Sequence, residues 1–127
     1  MSETKRALAP AFADFAEIDP VRCPCGWASR ALTDVPGAPV SIHRVEIDHE
    51  ARVHYHRRQT ETYYFLECDG GAEVELDGRS VPVRAGMVVM IPPGVRHRAV
   101  GKMTILNVVS PPFDPADEWF DDEDGLA

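Results

Sequence analysis

Between residues 40 and 110 the chain is a succession of short β-prone runs punctuated by turn residues, a rhythm that predicts an all-β fold. Residues 62–68 (TYYFLEC) are aromatic and strand-prone. In residues 72–76, Ala72, Val74 and Leu76 fall on one face and Glu73 and Glu75 on the other, the period of a half-buried strand. Asp77-Gly78 follows, a two-residue hairpin signal, and Val81 and Val83 resume the alternation. Gly86 opens the run Met87-Val88-Val89-Met90-Ile91, which reads as a buried strand closed by Pro92-Pro93-Gly94. Residues 95–100 and 103–109 are two more strands, the second ended by Pro111-Pro112. Residues 40–47 are rich in β-branched side chains, but their apolar phase slips from Val40 and Ile42 to Val45 and Ile47, which predicts a bulge. Seven or eight short strands and no convincing long helix predict a sandwich or jelly roll.

The flanks read differently. The 127 residues suit one domain. Residues 1–39 are expected to be a mostly irregular N-terminal extension packing on the barrel of residues 40–110. Phe12, Phe15, Ala16 and Ile18 suggest a short amphipathic helical turn, and the Pro-, Gly-, Ser- and Cys-rich stretch over 20–39 reads as loop. Residues 111–127 form an acidic tail. The net charge of −8 is concentrated there, in Asp114, Asp117, Glu118, Asp121, Asp122, Glu123 and Asp124; the other 14 acids and all 13 bases nearly balance. The tail is expected to be solvated and partly frayed. An acidic chain is a poor partner for nucleic acid. No apolar run approaches the ~20 residues that cross a bilayer, and residues 1–19 lack the apolar stretch of a secretory signal. A cytoplasmic location is expected, with Cys23, Cys25 and Cys68 as reduced thiols.

The chemistry is concentrated in two neighbourhoods. In His54-Tyr55-His56-Arg57-Arg58-Gln59-Thr60-Glu61, a strand over residues 52–57 points His54 and His56 the same way, about 6–7 Å apart at the backbone. Glu61 opens the next strand, where a hairpin-like return brings its carboxylate beside them. In the second neighbourhood Pro92, Pro93 and Gly94 force a turn and His97 follows it. A third imidazole on another strand can close the site from across a barrel. His43 and His49 fit neither pattern and are expected to be solvated or ordinarily hydrogen-bonded.

These two stretches resemble the two conserved motifs of the cupin superfamily over roughly residues 40 to 110. The first motif, G-x5-H-x-H-x3,4-E-x6-G, is matched by His54, His56 and Glu61. The second, G-x5-P-x-G-x2-H-x3-N, is matched by Gly86, Pro92, Gly94 and His97. The departures fall at turns: Asp48 and Cys68 stand where the first motif has glycine, and Gly101 where the second has asparagine.

The resemblance implies a double-stranded β-helix, a jelly-roll β-barrel enclosing a metal held by His54, His56, Glu61 and His97. Three neutral imidazoles and a carboxylate suit one divalent transition metal ion (iron, zinc, nickel, manganese or copper) better than Mg or Ca. They leave one or two coordination positions open. Because this architecture hosts many chemistries, two functions are carried. One is a metalloenzyme, dioxygenase- or isomerase-like, acting on a small polar and anionic substrate. The other is a non-catalytic cupin that binds a sugar or metabolite. Alternation from Glu61 sends Tyr63 and Phe65 inward and Tyr64 and Leu66 outward. Tyr63 is thus a candidate for a hydrogen bond to substrate. Arg58 shares the parity of His54 and His56 and is the candidate anion-binding group at the barrel mouth, whereas Arg96 and Arg98 flank His97 and point away. Besides a small-molecule ligand, a second copy of the chain is the expected partner. Tyr64, Pro111, Pro112, Phe113, Trp119 and Phe120 are the candidate contacts of a homodimer.

Overall fold

The alternating runs become antiparallel strands in the computed structural model, which describes residues 8–24 and 26–121. The strands are β1 (Val21–Cys23), β2 (Gly26–Ala31), β3 (Ser41–Ile47), β4 (Thr60–Cys68), β5 (Glu73–Leu76), β6 (Arg79–Pro82), β7 (Val88–Ile91), β8 (His97–Val100) and β9 (Met103–Ser110). A six-stranded sheet in the order β1-β2-β3-β9-β4-β7 packs on a three-stranded sheet in the order β6-β5-β8. Together they form the jelly-roll barrel. Its core draws Phe65, Ile91 and Ile105 from the large sheet and Val74 and Ala99 from the small one.

Strand register explains where the interior is apolar and where it is not. Ala28 on β2, Val45 on β3, Ile105 on β9 and Phe65 on β4 lie opposite one another in a single row, and all four are in the core. Two residues along each strand comes the next inward-facing row: Arg30, His43, Asn107 and Tyr63. One row is greasy and the other polar, on the same four strands.

Several expectations give way. Residues 20–39 are not plain loop, because β1 and β2 extend the large sheet beyond β3. No bulge interrupts β3: its register with β2 and β9 is continuous, and Ser41, His43, Val45 and Ile47 all face inward. The apparent phase slip arose from counting Val40 and Ile42 as interior; the interior of that strand begins with two polar side chains. The irregularity lies in β4, between Phe65 and Glu67. The run before Pro92 is not buried either. β7 is an edge strand whose Val88 and Met90 are 60% and 63% exposed, and only Ile91 is buried. The helical turn near the N-terminus is a 3-10 turn at Phe15–Glu17, capped by Asp14, while Phe12 stands fully in solvent.

The acidic tail is not a solvated end as far as Asp121. It folds back on the barrel, with Arg57 over the Trp119 ring, Arg52 over Phe120 and Arg30 over Phe113, at 3.6, 3.9 and 4.3 Å from the ring centroids. These aromatics, expected as dimer contacts, are engaged within the chain. Tyr64 does face outward, with Leu66, Val88 and Met90. Asp122, Glu123, Asp124 and Cys25 lie outside the described residues. Among the described residues no helix is long and apolar enough to cross a membrane.

Two turns need the residues they have. Asp77 and Gly78 both adopt positive φ (49° and 83°), as the tight β5–β6 hairpin requires. Gly101, standing where the cupin pattern has asparagine, turns β8 into β9 at φ 105°, and a Cβ there would sit 3.2 Å from the Ala72 Cα. Gly101→Val combines backbone strain with that close approach. It is expected to cost about 2–4 kcal/mol in urea unfolding, whereas a cost below about 0.5 kcal/mol would show that the turn relaxes freely.

Candidate metal centre

The segment carrying His54 and His56 belongs to neither sheet; only isolated bridges stand where a strand over 52–57 was expected. Its backbone groups find partners on alternate sides. His54 N–H donates to the His97 carbonyl at 3.1 Å and His97 N–H returns to the His54 carbonyl at 2.8 Å. On the other side Tyr55 and Trp119 exchange bonds of 3.0 and 2.9 Å, and Gly94 N–H donates to the His56 carbonyl at 2.8 Å. The next three amides converge on one carboxylate. Asp117 accepts from the N–H groups of Arg57, Arg58 and Gln59 at 2.9, 2.9 and 3.0 Å, and from the Trp119 indole at 3.0 Å. Burial works to raise the Asp117 pKa, but these backbone donors outweigh it and hold it at about 2.

This scaffold aims the imidazoles. Each of the three histidines donates its Nδ1–H to a backbone carbonyl: His54 to Arg52 at 3.1 Å, His56 to Asp117 at 2.6 Å and His97 to Val95 at 2.9 Å. A ring fixed through Nδ1 keeps its Nε2 lone pair for a metal. One donor atom from each of His54, His56, Glu61 and His97 lies within 4.8 Å of all the others. Glu61, which opens β4, places Oε1 at 3.0 Å from His97 Nε2 and 3.2 Å from His56 Nε2. Its Oε2 accepts from the Asn107 amide at 2.9 Å, and the Tyr63 hydroxyl reaches Oε1 at 3.5 Å.

The electrostatics favour a cation at the convergence point. Burial pushes Glu61 up, yet its bonds and charge contacts with His56 and His97 overcome that and hold it well below the usual carboxylate range. Burial and the neighbouring His97 lower His54 to about 4. Burial also opposes charge on His56, but Glu61 reverses this and raises it to about 9. Despite that charge attraction, His56 Nε2 lacks a well-aligned hydrogen bond. It is one of three buried side-chain polar atoms without a partner among the described residues, the others being Asn107 Oδ1 and Arg30 Nε. An ion bound by three Nε2 atoms and Glu61 satisfies His56 and neutralises the carboxylate, so the residues fit a metal.

The centre opens on a cavity of about 160 Å³, lined by His54, His56 and Glu61 together with Tyr63, His43 and Asn107. Tyr63 therefore lies where alternation placed it. Arg58 does not line the cavity: its guanidinium is paired with Asp114 at 2.7 Å on the rim, because the capped turn over 57–59 swings it outward. Arg96 and Arg98 point away, to Asp121 and to Glu75 and Glu50. His43, expected to be an ordinary histidine, is hydrogen-bonded to Ser41 at 3.0 Å, but it is also buried in the cavity wall. Arg30, Asn107 and Asp117 were missed. A polar residue at an inward parity of a strand is the signal that marks Asn107 in β9.

A family model described as Cupin domain matches residues 41–108. A protein from Planctomyces limnophilus of known crystal structure is 50% identical, with a TM-score of 0.85 over 88% of this chain and 97% of that one. The polyketide synthase CurC of Streptomyces cyaneus is 36% identical over 95 residues, 72% of this chain; the chain spans about 60% of that relative's length. Pac13 of Streptomyces, a nucleoside dehydratase, is 17% identical with a TM-score of 0.72 over 91% of this chain and 98% of that one, a likeness of fold.

Asp117→Ala strands buried amides at the ligand segment. It is expected to lower the stability of metal-free protein by about 3 kcal/mol at neutral pH in urea unfolding. The Asp117 contribution is complete above its unfolded pKa of 3.8 and is lost as pH falls toward its folded value of about 2. Asp117→Asn is therefore expected to flatten the fall in stability between those values; an unchanged acid profile would contradict the cap.

Proposed function

Because the chain belongs to the cupin family, we propose that it is a metal-dependent enzyme acting on a small, polar, anionic substrate in the barrel cavity. His54, His56, Glu61 and His97 hold one divalent transition ion, from among iron, zinc, nickel and manganese. The observation that carries this reading is the shared orientation of the three histidines. Each is tied through Nδ1 to a carbonyl, and together with Glu61 they converge beside a cavity large enough for a small organic molecule. When bound, such an ion supplies Lewis-acid or redox chemistry at its open coordination positions, as isomerase-like or dioxygenase-like reactions need.

The chain's own residues supply the rest. Asn107 fixes the second oxygen of Glu61, so the carboxylate presents one defined oxygen to the centre. The Tyr63 hydroxyl, beside that oxygen, is placed to orient a substrate or hold a proton there. Val45 and Ile105 make the inner wall apolar and keep bulk water out. Enzymes of the same fold support a catalytic reading over a purely binding one, among them the nucleoside dehydratase Pac13 and the ectoine synthase of P. lautus. The relative named as a polyketide synthase is in keeping with a small organic substrate.

Elemental analysis of untagged protein is expected to find about one equivalent of a transition metal per chain. His56→Ala should abolish it without unfolding the barrel, and Asn107→Ala should weaken affinity about 10- to 100-fold through the loosened Glu61. Full occupancy in His56→Ala would reject the ligand set.

A further inference from the structure

The proposed chemistry makes no use of Arg30, yet among the described residues it is the only lysine or arginine lining the cavity. We propose that Arg30 is the ligand-recognition residue of the cavity and that it binds the carboxylate of a small organic acid. This deepens the reading above by naming the substrate class.

Register puts Arg30 inside. It shares the parity of Gly26 and Ala28 on β2, while Trp27 between them faces out. Its neighbours across the sheet are His43, then Asn107, then Tyr63, so the guanidinium opens a polar row that ends beside Glu61. It forms no ion pair with a described residue, and its Nε is buried without a hydrogen-bond partner. The acids that line the cavity are otherwise engaged or peripheral. Glu61 is bonded to His97 and Asn107, Asp114 is paired with Arg58, and Glu118 is exposed. A half-buried cation without an acid partner favours an anionic ligand.

The guanidinium is also held in a defined plane. It stacks on Phe113 at 4.3 Å from the ring centroid, and Phe113 is fixed through its N–H to Ser41 Oγ at 2.9 Å. The same hydroxyl bonds His43 Nε2 at 3.0 Å, and the His43 ring meets Phe113 edge-on at 5.2 Å. Burial and the adjacent Arg30 lower His43 to about 4, so near neutral pH it adds no second positive charge. A stacked guanidinium presents its N–H edge as a planar fork, the geometry that carboxylates match. One guanidinium balances one negative charge, which favours a monocarboxylate over a phosphate dianion.

The test is calorimetric titration of the full chain, stripped of metal by a chelator so that no carboxylate is captured by an ion. The ligands are propionate and benzoate, with benzamide and inorganic phosphate as controls. At least one carboxylate is expected to bind at least about tenfold more tightly than either control, and Arg30→Gln is expected to lose about tenfold or more of that affinity. Arg30→Lys, which keeps the charge without the fork, should fall between them, and it replaces Arg30→Gln as the test if that variant does not fold. Absence of carboxylate binding, equal binding of benzamide, or undiminished binding in the folded variant would overturn the assignment. Tighter, Arg30-dependent binding of phosphate would overturn the carboxylate class. Loss of metal in His56→Ala with benzoate binding retained is expected if metal and carboxylate sites are separate. A wild-type chain that takes up no metal but binds benzoate through Arg30 would sink the metalloenzyme reading and leave this one standing.

Discussion

The segment that carries His54 and His56 has no strand to lean on, and the need to satisfy its backbone amides shapes the rest of the site. Between His54 and Gln59 the chain leaves the sheets, and five of the six N–H groups there find their partners outside any ladder. β8 supplies one through His97, and the folded-back tail supplies the others through the Trp119 carbonyl and the Asp117 carboxylate. The tail also orients one of the rings, because the Asp117 carbonyl takes the Nδ1–H of His56. A residue in the acidic tail thus sets both the path of the histidine loop and the tautomer of one of its rings.

The large sheet contributes a second kind of organisation. Neighbouring inward rows on four strands differ in character: Ala28, Val45, Ile105 and Phe65 pack the core and the first three give the cavity its apolar wall, while Arg30, His43, Asn107 and Tyr63 give it its polar one. Two residues of offset along a strand separate the apolar wall from the polar one. The three buried polar atoms without partners, on Arg30, His56 and Asn107, all belong to residues lining this cavity. Among the described residues other buried side-chain polar atoms have partners, and that concentration supports the proposal that an ion and a ligand are received here.

Much of this was legible in the chain itself. The four converging side chains could be picked out because motif spacing is a local property, and the inward turn of Tyr63 and Phe65 follows from parity once Glu61 is placed. The Asp77-Gly78 hairpin was legible for the same reason: two residues carry the whole signal. What escaped notice depends on contacts distant in sequence. Asp117 looks like one more acid in an acidic run, and only the approach of residues 57–59, sixty positions earlier, gives it a role. Arg30 sat in a stretch read as loop because glycine, proline and cysteine mask the short strands that join β3. Val88 and Met90 looked buried because an edge strand can carry an apolar outer face as readily as an apolar inner one.

The central claim is that three histidine Nε2 atoms and Glu61 hold a single transition ion. Anomalous diffraction from crystals of untagged protein, recorded on both sides of the absorption edge of the metal found, tests it most directly. The account predicts one peak per chain, about 2.0–2.2 Å from Nε2 of His54, His56 and His97 and from a Glu61 oxygen. A peak elsewhere, or ligation through Nδ1 of any of the three rings, would contradict it.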